Sequence, residues 1–153
     1  MSKRPVLTTG DELIVVEIQG QRFAIDIMSV REIRGWSAAT RLPQAPDYVL
    51  GMINLRGSVL PVIDSSSRLG LGPSEPNAAS VVIVAELGER VAGLLVEAVC
   101  DILALGEGML QCVPEVGDAR VHDFVGGVIT TDAGIVTLLS LDCVLPPADE
   151  LAA

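Results

Sequence analysis

A weak internal duplication is the feature of this sequence that most constrains its fold. The segment Leu13–Ala24 aligns with Val81–Ala92 at a spacing of 68 residues, and both contain an apolar run, a Gly-x-Arg turn and a second apolar run. Self-similarity at one long spacing implies two copies of one supersecondary unit. The aligned pairs include Gly20 with Gly88, Arg22 with Arg90, and Ala24 with Ala92.

Further segments repeat in the same order. With one additional residue, Val30–Ile33 falls on Val99–Ile102, and two predicted hairpins follow at Gly51–Asp64 and Gly127–Asp142. Short apolar runs between glycine-bounded turns are typical of small β-barrels or sandwiches. The continuous run Ser80–Glu86 predicts a strand buried on both faces, lying between two barrels.

Helices are predicted to be few and short. Asp64 can cap a helical turn over the serines that follow it, a second turn is expected at Asp47–Leu50 after Pro46, and a third at Ser140–Val144. Residues Gly70–Ala78 are rich in turn-forming residues and predict an exposed connector between the copies. Pro114–Val121 predicts another loop.

Composition excludes several classes of function. The chain has 153 residues, half of them apolar, and a net charge of −10, which predicts one globular unit that does not bind nucleic acid. Its N-terminus lacks an apolar leader, and the richest apolar run, Val91–Cys100, contains Glu97, so membrane insertion is not expected. The three cysteines lack zinc-site spacing and indicate a reducing, cytoplasmic compartment.

Catalysis finds little support in the sequence. His122 is the single histidine, and a small hydrolase would need it to meet Cys112 or a serine in the fold. The run Ser65–Ser67 is better explained as a helix cap with solvated hydroxyls than as a set of nucleophiles. No phosphate loop or metal-ligand spacing occurs, so we predict no enzyme activity, no metal and no cofactor.

Three segments carry a resemblance to a known family. They are Phe23–Gly35, Thr40–Val49 and, most specifically, Gly51–Asp64, with weaker support from Arg90–Val99. The third reads GMINLRGSVLPVID and is close to G-x-x-N-L-R-G-x-x-x-P-x-x-D. On these motifs the chain resembles the CheW-like chemotaxis coupling proteins from about Leu13 to Leu145.

The resemblance implies an all-β fold of two SH3-like five-stranded barrels on a shared hydrophobic core. One domain is then expected over 1–153, with lobes 13–70 and 80–145, possible strand exchange, and flexible tails at 1–12 and 146–153. It also implies a cytoplasmic, non-catalytic adaptor that binds the regulatory domain of a CheA-type histidine kinase and the tip of a methyl-accepting chemoreceptor. The receptor-facing groove would include Ile27, Val30, Glu32, Ile33, Arg56, Val81, Val82 and Gly93.

Alternatives remain open at this point. Ile27, Ile33, Val81 and Val82 fit a core as well as a groove, whereas Arg56 in a glycine-bounded turn is expected to be an exposed anchor. The family pattern has Leu-Arg where this chain has Ser65-Ser66, which removes a buried anchor at the short helix. Two other interpretations remain: an adaptor of another motility or receptor pathway, and a free-standing SH3-like binding module.

Overall fold

The computed structural model describes residues 10–37, 39–41, 43–111 and 125–145. Strands dominate this part of the chain, which confirms the predicted all-β class. The strands are β1 Glu12–Ile18, β2 Gln21–Asp26, β3 Val30–Gly35, β4 Val49–Leu55, β5 Ser58–Asp64, β6 Val81–Leu87, β7 Arg90–Val96, β8 Ala98–Ala104, β9 Leu110–Gln111, β10 Val125–Thr131 and β11 Gly134–Leu139. The helices are a 3₁₀ turn at Ile27–Ser29, α1 Ser65–Arg68 and α2 Leu141–Val144.

The strands form two sheets, and each sheet takes strands from both copies of the repeat. The order is β8-β1-β2-β11-β10-β9 in the six-stranded sheet and β3-β6-β7-β5-β4 in the five-stranded sheet. The first hairpin of each copy is flanked by strands of the other copy: β8 and β11 flank β1 and β2, and β3 and β5 flank β6 and β7. The five-strand prediction therefore holds for one sheet, and the two-residue β9 adds a sixth strand to the other.

The central strands β1, β2, β6 and β7 are buried on both faces because each face meets a different apolar cluster. On β6, Ile83 and Ala85 join the core shared by the two sheets, whereas Val82 and Val84 join clusters on the other side of the five-stranded sheet. On β1, Ile14 and Val16 join the same shared core. The prediction that Ser80–Glu86 includes a strand buried on both faces is confirmed for its central residues.

The first described residues are hydrogen-bonded to the six-stranded sheet. The Gly10 N–H donates to the Leu105 carbonyl at 2.8 Å, and β1 begins at Glu12, inside the segment expected to be a tail. Residues 1–9 and 146–153 lie outside the described residues. The division into lobes 13–70 and 80–145 stays a prediction.

The two short helices follow the second strands of the two predicted hairpins. Asp64 ends β5 and accepts a hydrogen bond from the Ser66 N–H at 3.2 Å, which confirms its role as a helix cap. Its carboxylate, nearly fully buried, also accepts bonds from Ser67 Oγ and from the N–H and Oγ of Ser74 in the connector. A buried carboxylate without a paired cation requires such donors. Leu141–Val144 confirms the predicted helix near Ser140, and the residues at 47–48 form a turn before β4.

Two adjacent buried serines at the start of α1 have opposite surroundings. Ser66 Oγ donates to the Gly72 carbonyl at 2.5 Å, whereas Ser65 Oγ is buried and has no hydrogen-bond partner among the described residues. Ser65 is the first of the two residues at which this chain departs from the family pattern. A buried hydroxyl without a partner carries a desolvation cost that no bond offsets.

We expect Ser65→Ala to raise the free energy of unfolding by about 1 kcal/mol, because it removes that unpaired hydroxyl. Ser66→Ala should lower it by about 1 kcal/mol, because it removes a made bond. The two substitutions delete the same atom at neighbouring positions, so urea denaturation of both gives a matched comparison. An equal loss of stability in the two variants would show that the Ser65 hydroxyl has a partner.

Candidate functional site

The predicted receptor-facing residues centre on β3, which is an edge strand of the five-stranded sheet. Exposure alternates along it: Val30, Glu32 and Arg34 are half-buried, whereas Arg31 and Ile33 are exposed. Ile33 is 47% exposed, which is high for an isoleucine. Glu32 and Ile33 therefore lie on opposite faces of β3, and only Ile33 offers a free apolar side chain.

The 3₁₀ turn before β3 contributes one predicted residue and one that was not predicted. Ile27 is half-buried and packs against the shared core, as does Val30. Asp26 caps this turn by accepting a bond from the Met28 N–H at 3.0 Å. The cap leaves the Met28 side chain 85% exposed. A flexible thioether in such a position is suited to adaptable protein contacts.

Charged side chains join β3 to the turn between β4 and β5. Arg56 Nη2 lies 3.0 Å from Glu32 Oε1, and Arg34 Nη1 lies 3.8 Å from Glu32 Oε2. The Arg56 side chain is 76% exposed and that of Glu32 is 23% exposed. Since β3 and β4 are the two edges of this sheet, the Arg56–Glu32 contact shows that the sheet curls until its edges approach each other. The structure thus brings together two of the predicted residues.

The backbone holds Arg56 away from the core. Leu55 pairs with Ser58, and the two residues between them, Arg56 and Gly57, have φ values of 52° and 87°. Positive φ at both central residues is typical of the tight hairpin turns that match strand twist. Asn54 Oδ1 accepts the Gly57 N–H at 2.9 Å and reinforces the turn. Arg56 is therefore an exposed guanidinium on a rigid support, as its sequence context predicted.

The remaining predicted residues lie inside the sheet or at its end. Val81 is half-buried at the start of β6, Val82 is 3% exposed, and Gly93 is buried in β7. A Cβ added at Gly93 would lie 2.6 Å from Val82 Cγ1. Because Val82 and Gly93 are buried, they can affect binding only through the packing of the sheet and not by direct contact with a partner.

Exposed aliphatic residues that we did not predict lie on β8, the edge strand related to β3 by the repeat. Val99 and Ile102 occupy the positions aligned with Val30 and Ile33, and Ile102 is 53% exposed. The sequence signal was present in the repeat alignment, which placed the two pairs in register. Val59 and Ile135 are also exposed, each one residue into the strand that follows a hairpin turn.

A cavity of about 470 Å³ lies at another place in the fold. Its lining comes from the β1–β2 turn, the connector and the end of β7, and it includes Gln19, Ser74 and Glu97. None of the predicted site residues lines it. Among the described helices, none has the length and apolar character needed to cross a membrane.

Comparison with known proteins assigns the chain to a family. The profile of the CheW-like domain matches residues 12–147. The chain belongs to the CheW-like family.

Individual relatives agree with this assignment. The chain is 46% identical over 144 residues to the chemotaxis protein CheW of Rhizobium meliloti, covering 94% of this chain and 93% of that protein. It is 30% identical over 152 residues to CheW of Klebsiella aerogenes, covering 99% and 91% of the two chains. The crystal structure of the scaffolding protein TtCheW from Thermoanaerobacter tengcongensis superposes with a TM-score of 0.78 at 30% identity, covering 86% and 90%.

Membership in the CheW-like family identifies the chain as a non-catalytic adaptor of chemotaxis signalling. It also confirms the SH3-like character of the fold, although the sheets are not closed into full barrels by backbone ladders in the described part of the chain. The hydrolase alternative is therefore wrong. Its predicted residues Cys112 and His122, with the loop Pro114–Val121, lie outside the described residues.

The close approach at Gly93 gives a test of its role. We expect Gly93→Ala to lower the free energy of unfolding by about 1–3 kcal/mol, because the added methyl group overpacks the sheet against Val82. Gly35→Ala on β3 is the matched control, since a Cβ there meets nothing within 4 Å and should change stability by less than about 0.5 kcal/mol. Thermal or urea denaturation measures both variants.

A double substitution sharpens that test. Val82→Ala removes the methyl group that the new Cβ would meet, so the combined variant should be more stable than the sum of the two single effects indicates. Strict additivity in the double-mutant cycle would contradict the packing explanation.

Proposed function

We propose that this chain works in the cytoplasm and couples the cytoplasmic tips of methyl-accepting chemoreceptors to a CheA-type histidine kinase. The observation that carries the proposal is Arg56, a charged fork that a rigid hairpin turn presents to solvent beside the edge strand β3. An arginine on a fixed support loses little conformational freedom on binding, which makes it a suitable anchor.

Arg56 keeps binding capacity despite its contact with Glu32. The contact joins Arg56 Nη2 to Glu32 Oε1, whereas an arginine has five N–H donors. Glu32 is flanked by Arg34 as well, so this small cluster has a positive excess in a protein whose net charge is negative. Such a cluster favours a partner that presents carboxylates or backbone carbonyls.

Apolar side chains supply the second half of the proposed surface. Ile33 on β3 and Met28 in the preceding turn are exposed, Ile27 and Val30 beside them in sequence are half-buried, and so is Val81, which pairs with Gly35 at the end of β3. A helical hairpin, which is the shape of a receptor tip, binds grooves through apolar anchors at helical spacing. We therefore assign the receptor contact to these apolar residues and to both sides of the edge strand β3, with Ile33 on one side and Glu32 with Arg56 on the other, and assign Val82 and Gly93 to the packing that supports them.

The kinase contact is proposed for the hairpin ends of the two sheets. Val59 and Ile135 follow equivalent turns and both are exposed, so each sheet presents one aliphatic side chain at its end. The regulatory domain of a CheA-type kinase is itself CheW-like, which makes an end-to-end contact between similar sheets the expected arrangement.

Substitution of Arg56 tests the anchor. We expect Arg56→Ala to change the free energy of unfolding by less than about 0.5 kcal/mol, because the side chain is mostly exposed. Affinity for a receptor signalling fragment should fall by about thirtyfold, the effect of losing a hot-spot arginine of about 2 kcal/mol. Denaturation and calorimetric titration with the fragment measure the two quantities.

Arg22→Ala is the matched control, because Arg22 is an exposed arginine on the other sheet and its loss changes the net charge equally. It should leave receptor affinity unchanged. If both substitutions weaken receptor affinity equally, the effect is one of net charge and not of Arg56 as an anchor. If Arg56→Ala is largely unfolded and its folded fraction binds normally, the role of Arg56 is structural. Co-sedimentation with receptor and kinase together then tests the coupling function itself.

A further inference from the structure

The chain crosses from one sheet to the other at its described C-terminal end. The strand β11 belongs to the six-stranded sheet, and the segment Ser140–Leu145, which includes α2, follows it directly. Leu141, Val144 and Leu145 are buried in the core that both sheets share. This segment therefore closes the space between the sheets.

Arg90 holds the segment from the five-stranded sheet. Arg90 lies at the start of β7, and its Nη1 donates to the carbonyls of Asp142 at 3.0 Å and Leu145 at 3.3 Å. Its Nη2 lies 2.5 Å from Asp142 Oδ1. The Arg90 side chain is only 17% exposed, so these contacts are largely shielded from water.

Arg68 holds the same segment from α1. Its Nε donates to the Val144 carbonyl at 2.9 Å and its Nη2 to the Cys143 carbonyl at 3.1 Å. The guanidinium lies 4.5 Å from the centre of the Tyr48 ring, which fixes its plane. Two arginines thus bind four consecutive carbonyls, from Asp142 to Leu145, that a four-residue helix leaves without partners.

Among the described residues, the first copy of the repeat shows no equivalent arrangement. Arg22, which aligns with Arg90, is exposed on β2. The two short helices have Asp64 and Ser140 as their N-terminal caps, and two residues after the cap stands Ser66 in the first copy but Asp142 in the second. The contact of Arg90 with Asp142 is therefore specific to the second copy, and Arg68 of the first copy adds bonds to the same segment.

We propose that Ser140–Leu145 is a strap, that Arg68 and Arg90 hold it to the five-stranded sheet, and that this contact sets the position of the two sheets relative to each other. Two arginines from different elements act on the one segment that continues β11. The guanidinium fork suits this task because one side chain binds several carbonyls in a fixed plane. The proposal is independent of the receptor and kinase coupling proposed above.

The experiment measures the distance between the sheets. Spin labels are placed at Cys100 on β8 and at a cysteine introduced by Arg31→Cys on β3, both exposed, with Cys112 and Cys143 replaced by serine. Pulsed dipolar spectroscopy then gives the distance distribution in this background and after addition of Arg68→Ala, Arg90→Ala or Arg22→Ala. We expect the distribution to shift or broaden in the first two variants and to stay unchanged in the third.

Hydrogen exchange gives the local readout. The amides of Val144 and Leu145 donate within α2 to Ser140 and Leu141, and their exchange should become about tenfold faster in Arg68→Ala and Arg90→Ala. Arg22→Ala should leave it unchanged. Faster exchange in α2 with an unaltered distance distribution would make the arginines local supports of α2 and would overturn the proposal.

A conservative variant covers the case in which Arg90→Ala does not fold. Arg90→Lys keeps the charge near Asp142 but cannot reach several carbonyls with a planar fork. A changed inter-sheet distance in folded Arg90→Lys supports the strap, whereas an unchanged distance in that variant and in Arg68→Ala contradicts it.

Discussion

The apolar contact between the two sheets is the interaction on which the rest of the structure depends. Four strands, β1, β2, β6 and β7, bury side chains toward it, while their other faces fill one cluster in the six-stranded sheet and two in the five-stranded sheet. A strand buried on both faces is stable only when apolar material lies on either side of its sheet. The scarcity of aromatic residues, 3% of the chain, means that this core is filled mainly by branched aliphatic side chains, which suit strands.

Much of this fold could be predicted from the sequence because its signals are local or repeated. The glycine-bounded turns predicted the hairpins, the continuous run at Ser80–Glu86 indicated a strand buried on both faces, and Asp64 was predicted to cap a helix. The parallel pairings of β2 with β11 and of β5 with β7 left no comparable signal. They join strands far apart in the chain, and a single sequence does not record which distant strands meet.

The candidate site was predicted unevenly for the same reason. The exposure of Arg56 follows from a two-residue turn with positive φ, which is a local property. The burial of Val82 and Gly93 depends on a neighbouring strand, since Val82 Cγ1 occupies the space where a Cβ of residue 93 would lie. Arg22 and Arg90 have the same place in the repeat but opposite roles, and only the packing of α2 distinguishes them. The exposed pair Val99 and Ile102 was visible in the alignment but was not treated as a surface.

The exchange of strands between the two copies also governs the order in which the chain can fold during its synthesis. When the first 80 residues have left the ribosome, β3 still lacks its partner β6, and β1 and β2 have only each other. An isolated two-stranded hairpin is at best marginally stable in water. Neither half can therefore complete a sheet before the other has been translated. The nascent chain must keep its apolar strands from premature association until β6 and β7 emerge, and net charge does not help it, because residues 1–80 contain eight Lys or Arg and eight Asp or Glu.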